Sequence, residues 1–349
     1  MRIASLLTAT AAVFVLMGLA APSAFAAPAP PAARGRLGGD VTAHDPALVK
    51  GPSAHEWYLL TSGDPGKDGG TVQIRRSVDD AATWNYLGTV WDKMPAWLAR
   101  TVPGADTMWA PEVLRHGSTY YLYYAASTLG HNNSVIALAT NTTLNPADPG
   151  YKWVDRGQVI RSATSSDFNA IDPDVVQDAA GTPWLVFGSY WGGIQMVQLE
   201  WPTGLRSADK TRLHLADRKI DPNAIEAPNV VQHGGWYYLM TSWDKCCAGV
   251  KSTYRIVVGR SKAVTGPYVD RDGRSLMQGG GTTILASSGN QIGPGAESAA
   301  GGLVAFHYYD GAAGGVPRLS IRKLLWTADG WPQFGAEVGA KPKPSAQDV

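Results

Sequence analysis

The chain has 349 residues, a formal net charge of +1 and 17% charged residues. This balance leaves no basic surface for nucleic acid or for an anionic membrane, so both classes of partner are excluded and a neutral ligand is favoured. The 40 Gly and 23 Pro favour short strands with many turns, and the 13 Trp and 14 Tyr suit both core packing and ligand stacking.

Residues 1–26 have the pattern of a secretory signal peptide. Arg2 supplies a positive start, residues 6–20 are apolar, and Ala24-Phe25-Ala26 is an A-x-A cleavage site. A membrane anchor is disfavoured because the apolar stretch is short and ends in a small-residue site. We therefore expect a secreted, extracellular protein, in which a flexible Pro/Ala-rich segment at 27–39 precedes the folded domain.

A proline with an acidic residue beside it, followed by an aliphatic run, recurs along the chain. The four prolines that mark this pattern are Pro46, Pro111, Pro173 and Pro228, and they follow one another at similar intervals. Each repeat continues into an aromatic run such as residues 120–124, and then into further strand candidates bounded by turn residues. The repeat has the length of a propeller blade and predicts an all-β, five-bladed β-propeller that forms a single domain over residues 40–338, with a tail at 339–349.

The fifth repeat is less regular than the others. We expect it to begin with Ile284-Leu285 and to continue through a loop at Gly293-Pro294-Gly295, since Pro294 follows Pro228 at an interval like those between the earlier prolines. Helical patterns are nearly absent apart from a short turn near residues 95–98. A single segment, 77–84, resembles the Asp box of sialidase propellers, although Ala82 replaces its glycine, and it predicts a hairpin turn.

Two adjacent cysteines, Cys246 and Cys247, rule out a disulfide scaffold for a chain of this size. Their Cα atoms lie closer together than ordinary disulfide geometry prefers. A vicinal disulfide and two buried thiols therefore both stay open.

Acidic residues at the start of several repeats are the candidate catalytic groups. The innermost strands of a propeller line its axis, so the loops that feed them gather at one end. Asp45, Asp172 and Glu226 should converge there, with Glu112 and Asp174 as competing candidates. Convergent carboxylates, in a chain with no Ser-His-Asp pattern and no strong zinc spacing, suit glycosidic bond hydrolysis by an acid and a base.

The surroundings of these carboxylates suggest a division of roles. Glu226 lies between Ile225 and Ala227, an apolar setting that should raise its pKa and keep it protonated as the general acid. Asp45, beside His44, is better suited to remain ionised as the base. Asp172 would be a third, orienting carboxylate that raises the pKa of the acid through like-charge repulsion.

Several motifs together resemble the arabinanases of glycoside hydrolase family 43. These motifs are His44-Asp45-Pro46, Trp109-Ala110-Pro111-Glu112, Asn169-Ala170-Ile171-Asp172-Pro173, residues 188–195, Ile225-Glu226-Ala227-Pro228, residues 243–254 and His307-Tyr308-Tyr309-Asp310-Gly311. The resemblance implies a five-bladed propeller that hydrolyses α-1,5-linked L-arabinofuranose chains with inversion. In that family Asp45 matches the general base, Glu226 the general acid and Asp172 the modulating carboxylate.

The same resemblance implies the remaining site residues. We expect His44, Trp109, Asn169 and Ser189 to bind arabinan or arabino-oligosaccharides, with Trp109 as a stacking platform. His307 matches a histidine that faces a calcium ion in the central channel, so Ca²⁺ is the expected cofactor. We expect a monomeric enzyme that cleaves bonds within the arabinan chain. Its two catalytic carboxylates should lie roughly 6.5–9.5 Å apart.

Other functions make different demands on the sequence. An exo-acting arabinanase would need a loop that blocks one end of the cleft, and an α-L-arabinofuranosidase or β-xylosidase of the same family often has an extra β-sandwich domain. A non-catalytic sugar-binding propeller would not need Asp45, Asp172 and Glu226. A sialidase would need several Asp boxes, an arginine cluster and a tyrosine nucleophile, and the sequence contains no such set.

Overall fold

Five sheets follow one another along the chain, in agreement with the predicted repeats. The computed structural model describes residues 37–66 and 68–339. The predicted signal peptide at 1–26, residues 27–36 of the N-terminal segment and residues 340–349 of the tail lie outside the described residues. Among the described residues, no helix is long and apolar enough to cross a membrane.

Each sheet is one blade, and apart from β1 and β13 its strands run outward from the axis in chain order. Blade one contains β1 (Gly38–Gly39), β2 (Ala47–Lys50), β3 (Trp57–Thr61), β4 (Gln73–Ser77) and β5 (Thr83–Thr89), and blade two contains β6 (Trp109–His116), β7 (Thr119–Ala126), β8 (Ser134–Asn141) and β9 (Val154–Ser162). Blade three contains β10 (Asp174–Gln177), β11 (Pro183–Phe187), β12 (Ile194–Glu200), β13 (Leu205–Arg206) and β14 (Leu213–Ala216). Blade four contains β15 (Ile225–His233), β16 (Trp236–Trp243), β17 (Arg255–Ser261) and β18 (Thr282–Leu285), and blade five contains β19 (Gln291–Ala300), β20 (Leu303–Asp310), β21 (Val316–Trp326) and β22 (Pro332–Glu337).

The few helices are short and lie between strands. The helical turn predicted near residues 95–98 is confirmed as α1 (Ala96–Thr101). Single 3₁₀ turns occur at Asp68–Gly70, Gly249–Lys251, Leu276–Gln278 and Gly311–Ala313. The described part of the chain is therefore all-β, as predicted, with helices only in the connections.

The innermost strands β2, β6, β10, β15 and β19 contact one another in cyclic order around an axis. This closed ring confirms the five-bladed β-propeller. Neighbouring strands within each blade are antiparallel, except that β1 pairs in parallel with β5 at the outer edge of blade one. Closing the ring leaves only short outer edges on each blade.

Apolar clusters fill the spaces between neighbouring blades. Between blades one and two, for example, Leu60 packs in one cluster with Leu122 and Val135. The cluster that closes the ring joins Leu37 and Trp84 to Leu319 of blade five. Since β1 also pairs with β5, residues that precede the predicted boundary at residue 40 already belong to the folded domain.

The inner strand of every blade has a left-handed backbone residue at or near its start. These residues, at φ between 39° and 57°, are Asp45, Ala110, Asp172, Ala227 and Ala296. In blades two, four and five the strand pairing also shifts register there, which marks a β-bulge that re-aims the adjacent side chains. The bulge therefore sets where the first side chains of each inner strand lie on the axis.

The predicted start of blade five was wrong in two respects. Ile284-Leu285 belongs to β18, the outermost strand of blade four, because Leu285 pairs with Ile256 of β17. Gly293-Pro294-Gly295 lies within β19 rather than in a loop. The left-handed residue is Ala296, so Glu297 occupies the position that proline holds in the other four blades.

The Asp-box-like segment forms the predicted hairpin turn between β4 and β5. Asp79 Oδ1 accepts hydrogen bonds from Ser77 Oγ at 2.7 Å and from the Thr83 amide at 2.9 Å. The indole of Trp84 donates to the Ala81 carbonyl at 3.0 Å. The segment thus has a structural role on the outer side of blade one.

Candidate active site

The three predicted catalytic carboxylates lie at the start of the inner strands of blades one, three and four. Asp45 and Asp172 occupy the left-handed position of their blades, and Glu226 lies one residue before it. Asp45 and Asp172 line one axial cavity together with Ala227, whose amide donates to Asp172 Oδ2 at 3.1 Å. The fold therefore brings together acids that lie on three different blades and far apart in sequence.

Asp45 is held as a carboxylate at the rim of this cavity. Its Oδ2 accepts from Ser62 Oγ at 2.6 Å and lies 2.8 Å from His44 Nδ1. Burial alone would raise the pKa of Asp45, but the charge and hydrogen bond of His44 outweigh burial and hold the pKa well below its usual range. The side chain is still 20% exposed, so this carboxylate is within reach of solvent.

Glu226 is enclosed by two hydroxyl groups. Ser189 Oγ lies 2.6 Å from its Oε2, and Tyr254 Oη lies 2.7 Å from its Oε1. Burial raises the pKa of Glu226, and the hydrogen bonds from the two hydroxyls oppose this only in part. The direction agrees with the raised pKa expected from the sequence and suits a carboxyl that must carry a proton.

Asp172 repels the other two carboxylates, as the sequence suggested, and its own pKa is raised as well. Burial raises its pKa well above the usual range, and repulsion from Glu226 and Asp45 adds to the rise. Two buried carboxyls that repel each other when ionised keep at least one proton between them. Asp172 therefore competes with Glu226 for a proton, and its role as an orienting, modulating carboxylate stays a prediction.

A group of aromatic and imidazole rings backs Asp45. His44 stacks on His307 with ring centroids 3.8 Å apart, and His44 Nε2 lies 2.9 Å from the Tyr309 hydroxyl. The fully buried His307 accepts the Asp45 amide at Nδ1, at 3.2 Å. Burial lowers the pKa of His44, but Asp45 more than offsets this and the net pKa is raised.

The two adjacent cysteines, whose state the sequence left open, lie beside His44. Cys246 and Cys247 form a vicinal disulfide. Both sulfurs lie 3.9 Å from His44 Nε2, so this bond forms part of the wall of the site.

Among the residues expected to bind sugar, three have identifiable protein partners. Ser189 holds Glu226, as described, and is 4% exposed. Asn169 is 3% exposed and accepts from Ser134 Oγ at 2.7 Å. Trp109 occupies the position in blade two that Glu226 holds in blade four, and its indole donates to Thr107 Oγ1 at 2.6 Å. Their contacts with a sugar stay predictions.

The competing acids Glu112 and Asp174 lie deeper on the axis, since each follows the proline of its inner strand. Asp174 accepts from Asn229 Nδ2 and from the Val230 amide, both at 2.9 Å. Burial raises the pKa of Asp174 to about 7 and that of Glu297 to about 8, and raises that of Glu112 well above its usual range. These three carboxyls form a buried inner layer below Asp45, Asp172 and Glu226.

Sequence reasoning missed several residues that position the carboxylates. Ser62 bridges blades one and two, since its Oγ also accepts the Ala110 amide at 2.8 Å. Tyr254 and Tyr309 both lie in motifs quoted for the resemblance, but nothing in the sequence assigned them a role. Nothing in the sequence pointed to Glu297, because the other four blades have a proline at the equivalent position.

Comparison with known proteins agrees with this geometry. A sequence model of the glycosyl hydrolases family 43 matches residues 40–332. The chain belongs to glycoside hydrolase family 43. The match covers all five blades and every carboxylate described above, and the resemblance seen in the sequence is confirmed.

Related family 43 proteins include both endo- and exo-acting enzymes. The extracellular endo-α-(1→5)-L-arabinanase 1 of Bacillus subtilis is 38% identical over 83% of this chain and 87% of its own length. The extracellular exo-α-(1→5)-L-arabinofuranosidase ArbA of Cellvibrio japonicus is 37% identical over 84% of this chain and 86% of its own. The structure of the α-L-arabinanase of Cellvibrio cellulosa complexed with arabinohexaose superimposes with a TM-score of 0.78 at 35% identity, covering 84% of this chain and 95% of that one.

Proposed function

We propose that this family 43 glycoside hydrolase cleaves internal α-1,5-L-arabinofuranosidic bonds of arabinan with inversion. The main support for the proposal is that one axial site contains both a carboxylate that is held ionised and a carboxyl group with a raised pKa. Asp45 is held ionised by His44, while burial favours a proton on Glu226. An inverting glycosidase needs one carboxylate as base and one carboxylic acid, which is the pair described here.

In the proposed reaction Glu226 donates its proton to the glycosidic oxygen as the bond to the anomeric carbon breaks. Asp45 removes a proton from the water that attacks the opposite face of that carbon. Ser189 and Tyr254 hold the two oxygens of Glu226, so that the proton is presented in a fixed direction. We expect the two carboxyls to be separated by the wider distance of inverting enzymes, roughly 6.5–9.5 Å, which leaves room for the water.

An exo-acting arabinanase is the second candidate, because the Cellvibrio japonicus relative bears an exo-acting name. Product sizing on debranched arabinan distinguishes the two modes. An endo enzyme releases a spread of oligosaccharides early in the reaction. A single short product from the first minutes would instead mean exo action.

We also propose that His307 holds the Ca²⁺ expected from the family resemblance. Its Nε2 is buried without a hydrogen-bond partner among the described residues, which fits a ligand. With Nδ1 accepting the Asp45 amide, the ring proton lies on Nε2, so in this tautomer His307 would hold the ion through water bound to it, with Nε2 donating to the water oxygen. When bound, calcium would offset the repulsion among the axial carboxylates.

We propose that the protein is secreted and acts as a monomer. The A-x-A site at Ala24-Phe25-Ala26 supports secretion, and two relatives are named as extracellular. N-terminal sequencing of the protein recovered from the growth medium should begin near Ala27. Light scattering should give the mass of one chain.

Glu226→Ala tests the proposal most simply. The variant should lose nearly all hydrolysis of linear arabinan, and it should recover much of it on an arabino-oligosaccharide with a nitrophenol leaving group, which needs little protonation. Glu200→Ala is the matched control, because Glu200 is an exposed carboxylate at the end of β12. Near-normal turnover of arabinan by Glu226→Ala would overturn the assignment.

A further inference from the structure

We infer that the vicinal disulfide Cys246–Cys247 positions the catalytic base, acting through Tyr309 and His44. This inference rests on the proposed function, because it assigns the base role to Asp45. It deepens that function by naming residues that hold the base in place.

The contacts form a continuous chain from the disulfide to the carboxylate. The amide of Cys247 donates to the Tyr309 hydroxyl at 2.9 Å, and Cys246 Sγ lies 3.2 Å from the same oxygen. That hydroxyl lies 2.9 Å from His44 Nε2, and the other imidazole nitrogen lies 2.8 Å from Asp45 Oδ2. Every link is a hydrogen bond or a sulfur contact at normal distance.

The disulfide also restricts the imidazole from the side. Its two sulfurs each lie 3.9 Å from His44 Nε2, while the fully buried His307 stacks on the face of the ring at 3.8 Å between centroids. A ring held at its edge and on its face has few alternative rotamers. Orientation of His44 fixes in turn which oxygen of Asp45 faces the reacting water.

The surrounding loop does not depend on the sulfur–sulfur bond for its own fold. Thr253 donates its amide to the Lys245 carbonyl at 2.9 Å, and the Lys245 amide donates back to Thr253 Oγ1 at 3.1 Å. Ser252 Oγ accepts the Ala248 amide at 3.0 Å. Opening the disulfide should therefore loosen Tyr309 and His44 while the blade stays folded.

The bond can be opened by an external dithiol, since Cys247 is exposed. Dithiothreitol is oxidised to its cyclic disulfide, the Cys246–Cys247 bond breaks, and each sulfur gains one electron and one proton. We expect kcat on linear arabino-oligosaccharides to fall about tenfold with KM changed less than about twofold, a smaller loss than the 10²–10⁴ of removing a base outright. The reaction contains EDTA saturated with excess Ca²⁺, which removes the zinc that two thiols and His44 would bind but leaves the proposed Ca²⁺ in place.

Three comparisons separate positioning from a merely structural effect. In a series of redox buffers, the fall in kcat should have the same midpoint as reduction of the disulfide. Reduction is measured by mass spectrometry after alkylation of the two cysteines. The fall in kcat should also be seen on a substrate with a nitrophenol leaving group. This substrate needs little protonation by the general acid but still needs the general base. Cys246→Ala/Cys247→Ala should show the same loss without dithiol and no further response to it.

A double-mutant cycle that combines Cys246→Ala/Cys247→Ala with Tyr309→Phe tests whether the disulfide acts on His44 through Tyr309. If the disulfide acts through the Tyr309 hydroxyl, the combined variant loses little more than Tyr309→Phe alone. Additive losses, a rise in KM at constant kcat, or full activity of the reduced and alkylated enzyme would each overturn the inference. An oxidised wild type that is inactive on every arabinan substrate would instead refute the proposed function.

Discussion

Replacement of Glu297 by glutamine should change how the stability of the propeller depends on pH. This carboxyl is 4% exposed, its Oε2 accepts from Ser242 Oγ at 3.0 Å, and its Oε1 has no partner among the described residues. Burial raises its pKa from 4.5 to about 8. The folded protein therefore keeps a proton on Glu297 at pH values where the unfolded chain has lost it.

The size of the effect follows from proton linkage. Between the unfolded and folded pKa values the native state binds one more proton, so the free energy of unfolding falls by about 1.4 kcal/mol per pH unit as pH rises. Between pH 5 and pH 7.5 this amounts to about 3 kcal/mol. Glutamine has the same shape and no titrating proton, so Glu297→Gln should remove this contribution.

Urea unfolding at several pH values between 5 and 7.5, in EDTA, measures the effect. The free energy of unfolding of the wild type minus that of Glu297→Gln should fall by about 3 kcal/mol across this range. Glu200→Gln, at an exposed carboxylate, should give a flat difference. A flat difference for Glu297→Gln as well would refute the view that this axial carboxyl is buried in its neutral form.

Three further predictions concern the groups around the catalytic pair. Tyr254→Phe removes a hydrogen bond that lowers the pKa of Glu226, so the alkaline limb of the pH profile of kcat/KM should move up by about one unit; an unmoved limb would contradict the contact. Ser62→Ala leaves the Ala110 amide without its acceptor and should lower the free energy of unfolding by about 1–3 kcal/mol in urea titrations; unchanged stability would refute the bridge. EDTA should lower the melting temperature, and Ca²⁺ should restore it in the wild type but not in His307→Ala; an EDTA-insensitive wild type would contradict the proposed ion.

The blade repeat was predictable from sequence because strand pattern and proline spacing are local signals. Prolines lie just before or near the start of the inner strands of blades one to four, where they follow a left-handed residue. Blade five has Glu297 in that position, and the nearby Pro294 suggested a boundary that the strand pairing does not support. A backbone conformation carried by Ala296 leaves no mark in the sequence.

The convergence of Asp45, Asp172 and Glu226 was predictable for the same reason, whereas their hydrogen-bond partners were not. Ser62 reaches Asp45 from the far end of β3, and Tyr309 reaches His44 from the last blade. Such contacts depend on how neighbouring blades pack, and the repeating pattern of the sequence carries no information about them. The raised pKa of Asp172 was not predicted because it comes mainly from burial, which only the assembled axis determines.

The configuration of the first-formed product tests the central claim most directly. Proton NMR during early hydrolysis of arabino-oligosaccharides resolves the two anomers of the new reducing end before they interconvert. The account predicts that the β-anomer appears first, since water activated by Asp45 attacks the face opposite to the bond that Glu226 protonates. First appearance of the α-anomer would mean retention and would contradict the assignment of these two carboxylates as base and acid.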